Sequence, residues 1–132
     1  MKYEIFIWNE SYCIGFEMID KQHKELVSII NEIYSVFMNN QGINGLMPLF
    51  DKLTDYTRYH FTAEQKILEE KLSEEDFLDH LKKHEYFIMK IERMKSQLND
   101  EGEKILFEII NFLRNWLQDH ILIEDKEAFS QK

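Results

Sequence analysis

The sequence predicts an all-α protein: an up-down-up-down four-helix bundle preceded by an N-terminal arm. Two observations carry this. Apolar residues recur at 3,4 spacing in four stretches of about twenty residues, and turn or cap signals separate those stretches by short connections. A composition with 4 Gly and 1 Pro among 132 residues, and with Leu, Ile, Glu and Lys abundant, suits long helices. The length corresponds to a single domain, residues 1–132, with its own hydrophobic core.

Residues 1–17 read as the arm. Ile5, Phe6, Ile7, Trp8, Tyr12, Ile14 and Phe16 are apolar without a helical period, and Asn9, Ser11 and Gly15 interrupt them. Their expected task is to cover an edge of the bundle. The first helix spans about 18–38, with Ile19, His23, Leu26, Val27, Ile30, Ile33, Tyr34 and Phe37 on one face. Glu17 and Asp20 suit the positive end of its dipole. The run from Asn39 to Gly45 ends it, and the second helix covers about 46–70, which puts Pro48 in the first turn, where no intrahelical bond is lost. Ser73 to Asp76 resembles a capping box and opens the third helix, about 74–98. Asp100 and Glu103 can cap the fourth, about 101–121, and residues 126–132 form a tail running over the bundle end.

Composition narrows the partners. A net charge of −9 repels a phosphate backbone, which argues against nucleic acid. No stretch approaches the ~20 apolar residues that a membrane span requires, so no membrane insertion is expected. The N-terminus has no leader-like cleavage site, and Cys13 has no second cysteine to pair with. Both point to a cytoplasmic protein.

Seven residues organise the chain: His23, His60, Glu64, His80, His84, His120 and Asp125. They include all 5 histidines. The pairs His60/Glu64 and His80/His84 have i,i+4 spacing, which puts both members on one helix face. His23 and His120 lie on the apolar stripes of the first and last helices. A carboxylate or imidazole on a core stripe carries a large desolvation cost, and a metal ion removes it by supplying opposing charge. The four helices therefore contribute one, two, two and two ligands to a cage inside the bundle. Seven ligands exceed what one tetrahedral zinc accepts, so two ions fit better. Imidazole-rich coordination without thiolate suits iron, copper, zinc or nickel, and the choice among them stays open on ligand type alone.

His120 and Asp125 pose a geometric problem. Five residues of α-helix turn through roughly 500°, about 140° off the starting face. Both side chains reach one centre only if the helix ends or bulges between Ile121 and Asp125.

Trp8, the run from Gly15 to Lys24, His60 to Glu64, His80 to His84, and Trp116 to Lys126 together resemble the hemerythrins of the bacterial kind (bacteriohemerythrins), in the same order and over nearly the whole chain. Gln65 departs from the second Glu that many bacterial members carry, and the loop before His80 lacks a proline often found there. The resemblance implies two iron ions in a non-haem, oxygen-bridged di-iron centre. On that basis His80, His84 and His120 hold one iron, His23 and His60 the other, and Glu64 and Asp125 bridge them. The iron with two histidines is left one ligand short, and in this family dioxygen binds there reversibly.

Leu117, Trp116 and Ile121 are expected to wall that oxygen pocket and keep water from it. The implied function is non-enzymatic oxygen binding by a carrier, a store or a local supplier. The alternatives are an oxygen or redox sensor, and a di-iron enzyme acting on peroxide, nitric oxide or ferrous iron. Against oxygen activation, the chain lacks the Glu-x-x-His pairs and the four carboxylates of ferritin-like di-iron proteins.

Overall fold

A computed structural model describes residues 3–130; Met1, Lys2, Gln131 and Lys132, at the ends of the expected arm and tail, lie outside the described residues. Four long helical segments pack as a bundle, each beside its neighbour in sequence, with the last returning to the first. They are α1 (Glu17–Met38), α2 (Ile43–Lys71), α3 (Glu74–Glu101) and a composite fourth segment. That segment starts with a 3-10 turn at Gly102–Ile105, runs through α4 (Leu106–Leu117), widens into a π-helical turn over Gln118–Asp125 and finishes as α5 (Lys126–Phe129). No strand occurs among the described residues, and none of their helices is long and apolar enough to cross a membrane.

Local chemistry sets the ends of these helices. Asp20 reaches back from the first turn of α1 and accepts from the backbone N–H of Ile14 at 2.8 Å, which ties the arm to the helix start. Ser73 accepts from the N–H of Asp76 at 3.1 Å and so caps α3, an interaction that stabilises a helix by about 1 kcal/mol. The chain leaves α3 through Gly102, whose φ of +68° disfavours any side chain. Asp100 therefore sits in the last turn of α3 instead of capping the fourth segment.

The start of α2 differs from the sequence reading. Gly42, at φ +79°, turns the chain into a helix that begins at Ile43, so Pro48 lies in the second turn. Its missing N–H leaves the Asn44 carbonyl without a helical donor. Asn44 and Pro48 are both exposed, so that carbonyl is not confined to an apolar interior, and the helix continues.

Two apolar clusters form, of unequal size. The larger runs from the loop end of the bundle towards its middle and includes Leu26, Ile30, Phe50, Leu53, Phe87, Ile91, Leu113 and Leu117. The smaller consists of Ile19, Leu68, Ala128 and Phe129, with Phe16, Ile67, Leu72 and Phe77 packed against it. The chain end is thus anchored: Phe129 is buried and meets the ring of Phe16 edge-on at 4.8 Å. Every long segment passes from one cluster to the other, and the polar residues singled out above lie at the crossing.

The arm packs along α1. Asn31 accepts from the N–H groups of Ile5 and Phe6 and donates to the Phe6 carbonyl, at 2.9, 3.1 and 2.8 Å. Phe6 and Trp8 both contact the ring of Tyr12, at 5.5 and 5.6 Å. Asn31→Ala should cost about 1–3 kcal/mol, since each such bond contributes about 1 kcal/mol net. Urea unfolding measures that loss, and limited proteolysis should show faster cleavage within the arm. Unchanged cleavage would mean that the aromatic contacts alone hold it.

Candidate metal centre

The seven residues converge between the two apolar clusters, and none is more than 5% exposed. His23 follows Ile19 by four residues and precedes Leu26 by three, so the stripe that makes α1 amphipathic also aims its imidazole inward. The same spacing turns His60 and Glu64 of α2, and His80 and His84 of α3, towards the bundle axis. His120 and Asp125 meet by a different device. The π-helical turn closes i→i+5 rings and so stacks residue i+5 over residue i. As a result His120 Nε2 and Asp125 Oδ2 come within 2.9 Å, with no break in the helix.

The two carboxylates occupy the middle, and each turns its two oxygens to different histidines. Glu64 Oε1 lies 2.8 Å from His80 Nε2 and 3.1 Å from His84 Nε2. Its Oε2 faces the Nε2 atoms of His60, His120 and His23, at 2.8, 3.5 and 3.7 Å. Asp125 Oδ2 is 2.7 Å from His23, while its Oδ1 is 3.3 Å from His80. Two groups of donor atoms result, each compact enough to surround one ion: His23, His60, Glu64, His120 and Asp125, and Glu64, His80, His84 and Asp125. Both carboxylates belong to both groups. His120 falls in the first by donor distance, although its ring centre is 5.6 Å from those of both His60 and His84.

The electrostatics follow from burial. Full burial pushes the Glu64 carboxyl up, but His120 and His60 outweigh it and hold the group well below the usual range. Burial and the charge of Glu64 raise Asp125; His120 and His23 bring it down. Among the histidines, burial alone lowers every pKa. It prevails at His60, and at His84, which falls to about 4. At His80 the neighbouring carboxylates of Asp125 and Glu64 overcome it and lift the pKa to about 9. At His120 the charges of Asp125 and Glu64 do the same, and at His23 the two carboxylates, Asp125 first, do so.

The donor set fits a cation. Nδ1 of His60 donates to Gln22 Oε1 at 2.8 Å, which leaves the lone pair of Nε2 pointing at Glu64 Oε2. That oxygen has no hydrogen bond among the described residues, nor does Asp125 Oδ1. Two buried acceptors 2.8 Å apart repel unless a positive charge stands between them. No lysine or arginine among the described residues pairs with either carboxylate.

Aromatic rings frame the histidines. Phe61 stacks on His84 at 3.7 Å and 2°, and Trp116 stacks on His120 at 4.7 Å and 9°. Leu117 and Ile121 are fully buried in the larger cluster. Sequence reasoning gave no role at the site to three of its neighbours: Phe61, Gln22, and Gln65, noted there only as a departure, whose amide lies 3.0 Å from Nδ1 of His84. Gln22 carried a usable signal. It lies three residues after Ile19 and four before Leu26, a place on the apolar stripe that a solvated glutamine would not occupy.

Residues 14–131, which include all seven convergent side chains, match the family model described as the hemerythrin HHE cation binding domain. The chain is 26% identical to a bacteriohemerythrin of Clostridium acetobutylicum over 127 residues, covering 93% of this chain and 98% of that one. It is 27% identical to a bacteriohemerythrin of Stenotrophomonas maltophilia, covering 96% of this chain and 81% of that one. It is 28% identical to a hemerythrin-like protein of Naegleria gruberi, covering 88% and 84%. With a family match over residues 14–131, nearly its whole length, the chain belongs to the hemerythrin family.

Proposed function

We propose that this protein binds dioxygen reversibly, without turning it over, at two non-haem iron ions held by His23, His60, Glu64, His80, His84, His120 and Asp125. The observation that carries the reading is the pair of buried carboxylates, each with one oxygen turned to His80 and the other to the opposite group of imidazoles. On this reading Glu64 and Asp125 would bridge the two ions. Five neutral imidazoles supply the remaining ligands, with His80 and His84 on one side and His23 and His60 on the other. His120, midway between His60 and His84, completes the three-histidine side on this reading. When bound, such a pair of ions supplies a reversible two-electron exchange with dioxygen.

The protein's own part is to fix the ligands and exclude water. Gln22 holds the His60 ring with Nε2 turned inward. Leu117 and Ile121 keep solvent from the centre, and Trp116 covers the face of His120. A dry site with few anionic ligands favours release of intact dioxygen over cleavage of its O–O bond. The role that follows is that of an oxygen carrier, store or supplier.

Three measurements test this reading. Iron content with visible absorption should show two irons per chain, a colourless reduced form, and a charge-transfer band that comes with oxygen and leaves on deoxygenation. Direct passage to a stable ferric form without an oxygen adduct would favour a redox sensor or an enzyme instead. Glu64→Ala should lose iron, because it removes a bridge; two irons retained per chain would overturn the bridging role. Loading metal-free protein with cobalt(II) near neutral pH should release protons, because His80, raised to about 9, and His120 carry protons that a metal must displace. Apparent metal affinity should therefore fall as the pH is lowered from about 9. An affinity that does not change from neutral to alkaline pH would remove His80 from the ligand set.

A further inference from the structure

Surface grooves reach the centre at His80, His84 and His120, and they differ in charge and in what covers the imidazole. The groove at His84, about 490 Å³ between α2 and α3, is faced by Arg58, Glu85 and Glu92, and Arg58 pairs with Glu92 at 2.6 Å. Phe61 lies flat on the His84 ring there. A second groove, about 420 Å³, meets His84 and His120 between α3 and the fourth segment. Its two acids, Asp119 and Glu124, are balanced by Lys82 and Lys83, and Trp116 covers His120.

The groove at His80 has another character. About 250 Å³ in volume, it lies between the start of α3 and the turn that leads into α5. Asp76 and Asp79 stand on one wall and Glu124 and Glu127 on the other, against a single lysine, Lys83. Lys83 reaches Glu124 at 4.0 Å, while Asp76, Asp79 and Glu127 pair with no cation among the described residues. The described rings nearest His80 are those of His84 and His120, so no phenylalanine or tryptophan lies over it. His80 is only 5% exposed, yet its Nδ1 has no hydrogen bond among the described residues and is not sealed from solvent. Its Nε2 stands 2.8 Å from Glu64 Oε1 and 3.3 Å from Asp125 Oδ1, a buried acceptor that itself lacks a hydrogen bond. One imidazole therefore separates the acidic groove from the buried carboxylates.

We propose that this groove is the port through which a hydrated divalent cation enters the centre, with His80 the first ligand it meets. The proposal rests on reading the seven residues as metal ligands, but not on which metal they hold. Carboxylates on both walls raise the local concentration of a cation and speed its arrival. Oxygen donors at the rim suit an ion that still carries its water, whereas the imidazole-rich interior requires it to shed that water. His80 spans the two settings. Its outer nitrogen meets the ion among the rim carboxylates, and rotation of its ring then brings the ion to Glu64 and Asp125. The other two grooves offer no such path, because Phe61 and Trp116 cover the rings and Arg58, Lys82 and Lys83 offset the acids.

Stopped-flow absorbance of cobalt(II) uptake by the full chain, freed of metal, measures the port directly. Asp79→Asn with Glu127→Gln, one change on each wall, should slow uptake about tenfold at low ionic strength, the lower end of what electrostatic steering supplies. The gap should close as salt is raised. The final cobalt spectrum should match the parent's, since no ligand is altered. Glu85→Gln with Glu92→Gln makes the same change of net charge at the His84 groove and should leave the rate near the parent's. Equal slowing by both pairs would reduce the effect to overall charge and overturn the port, as would parent-like uptake by the first pair. Asp79→Asn alone, at an exposed position, keeps the test if the double variant does not fold. It should slow uptake several-fold, and parent-like uptake would overturn the port. A parent chain that takes up no cobalt would overturn the metal centre and the port together. Slowed uptake in a chain that forms no dioxygen adduct with iron would uphold the port and overturn the function proposed above.

Discussion

Two carboxylates with no access to water govern this structure. Glu64 and Asp125 are both fully buried, and burying an isolated carboxylate costs several kcal/mol even after relaxation. Among the described residues only the imidazoles turned towards them offset that cost. All four helical segments contribute to the solution, so the position of each helix is tied to that of every other through one small polar layer. Helix packing alone tolerates sliding of apolar side chains past one another. Hydrogen-bonding distances of 2.7–3.1 Å between Nε2 and carboxylate oxygens do not.

The fourth segment shows what that constraint demands of the backbone. An α-helix cannot present residues five apart on one face, and the chain answers by widening over Gln118–Asp125. π-helical turns are rare and occur mostly at functional sites, because the wider turn is a poorer helix and persists only where its side chains gain something else. Here Asp125 gains His120 and His23, and the chain beyond it gains a buried anchor in Phe129.

Much of this was legible in the residues themselves. The i,i+4 pairs His60/Glu64 and His80/His84 reveal their direction because helical periodicity also places Leu53, Leu68, Phe87 and Ile91. Conflict between the five-residue spacing and an ordinary helix pointed to an irregularity, though not to its form. The extent of α2 was harder to read, since whether Pro48 ends or merely interrupts a helix depends on solvent at the Asn44 carbonyl, a tertiary property. The role of Gln65 was equally out of reach. A glutamine one residue from a ligand can point to water or to the ligand's outer nitrogen, and only the packed arrangement decides. The tail illustrates the same limit: Ala128 and Phe129 have a buried environment only because Ile19 and Leu68 leave one for them.

The division of the apolar interior into two unequal parts bears on how the molecule comes apart. Ile19, Leu68, Ala128 and Phe129 form a patch too small to stand by itself, separated from the larger cluster by the polar layer. Regions with few buried apolar contacts are the ones that open below the global unfolding free energy. By that principle the end formed by the start of α1, the end of α2 and α5 would open before the rest of the bundle. A cation held by side chains from both sides of that boundary would act as a rivet, converting two cooperative units into one.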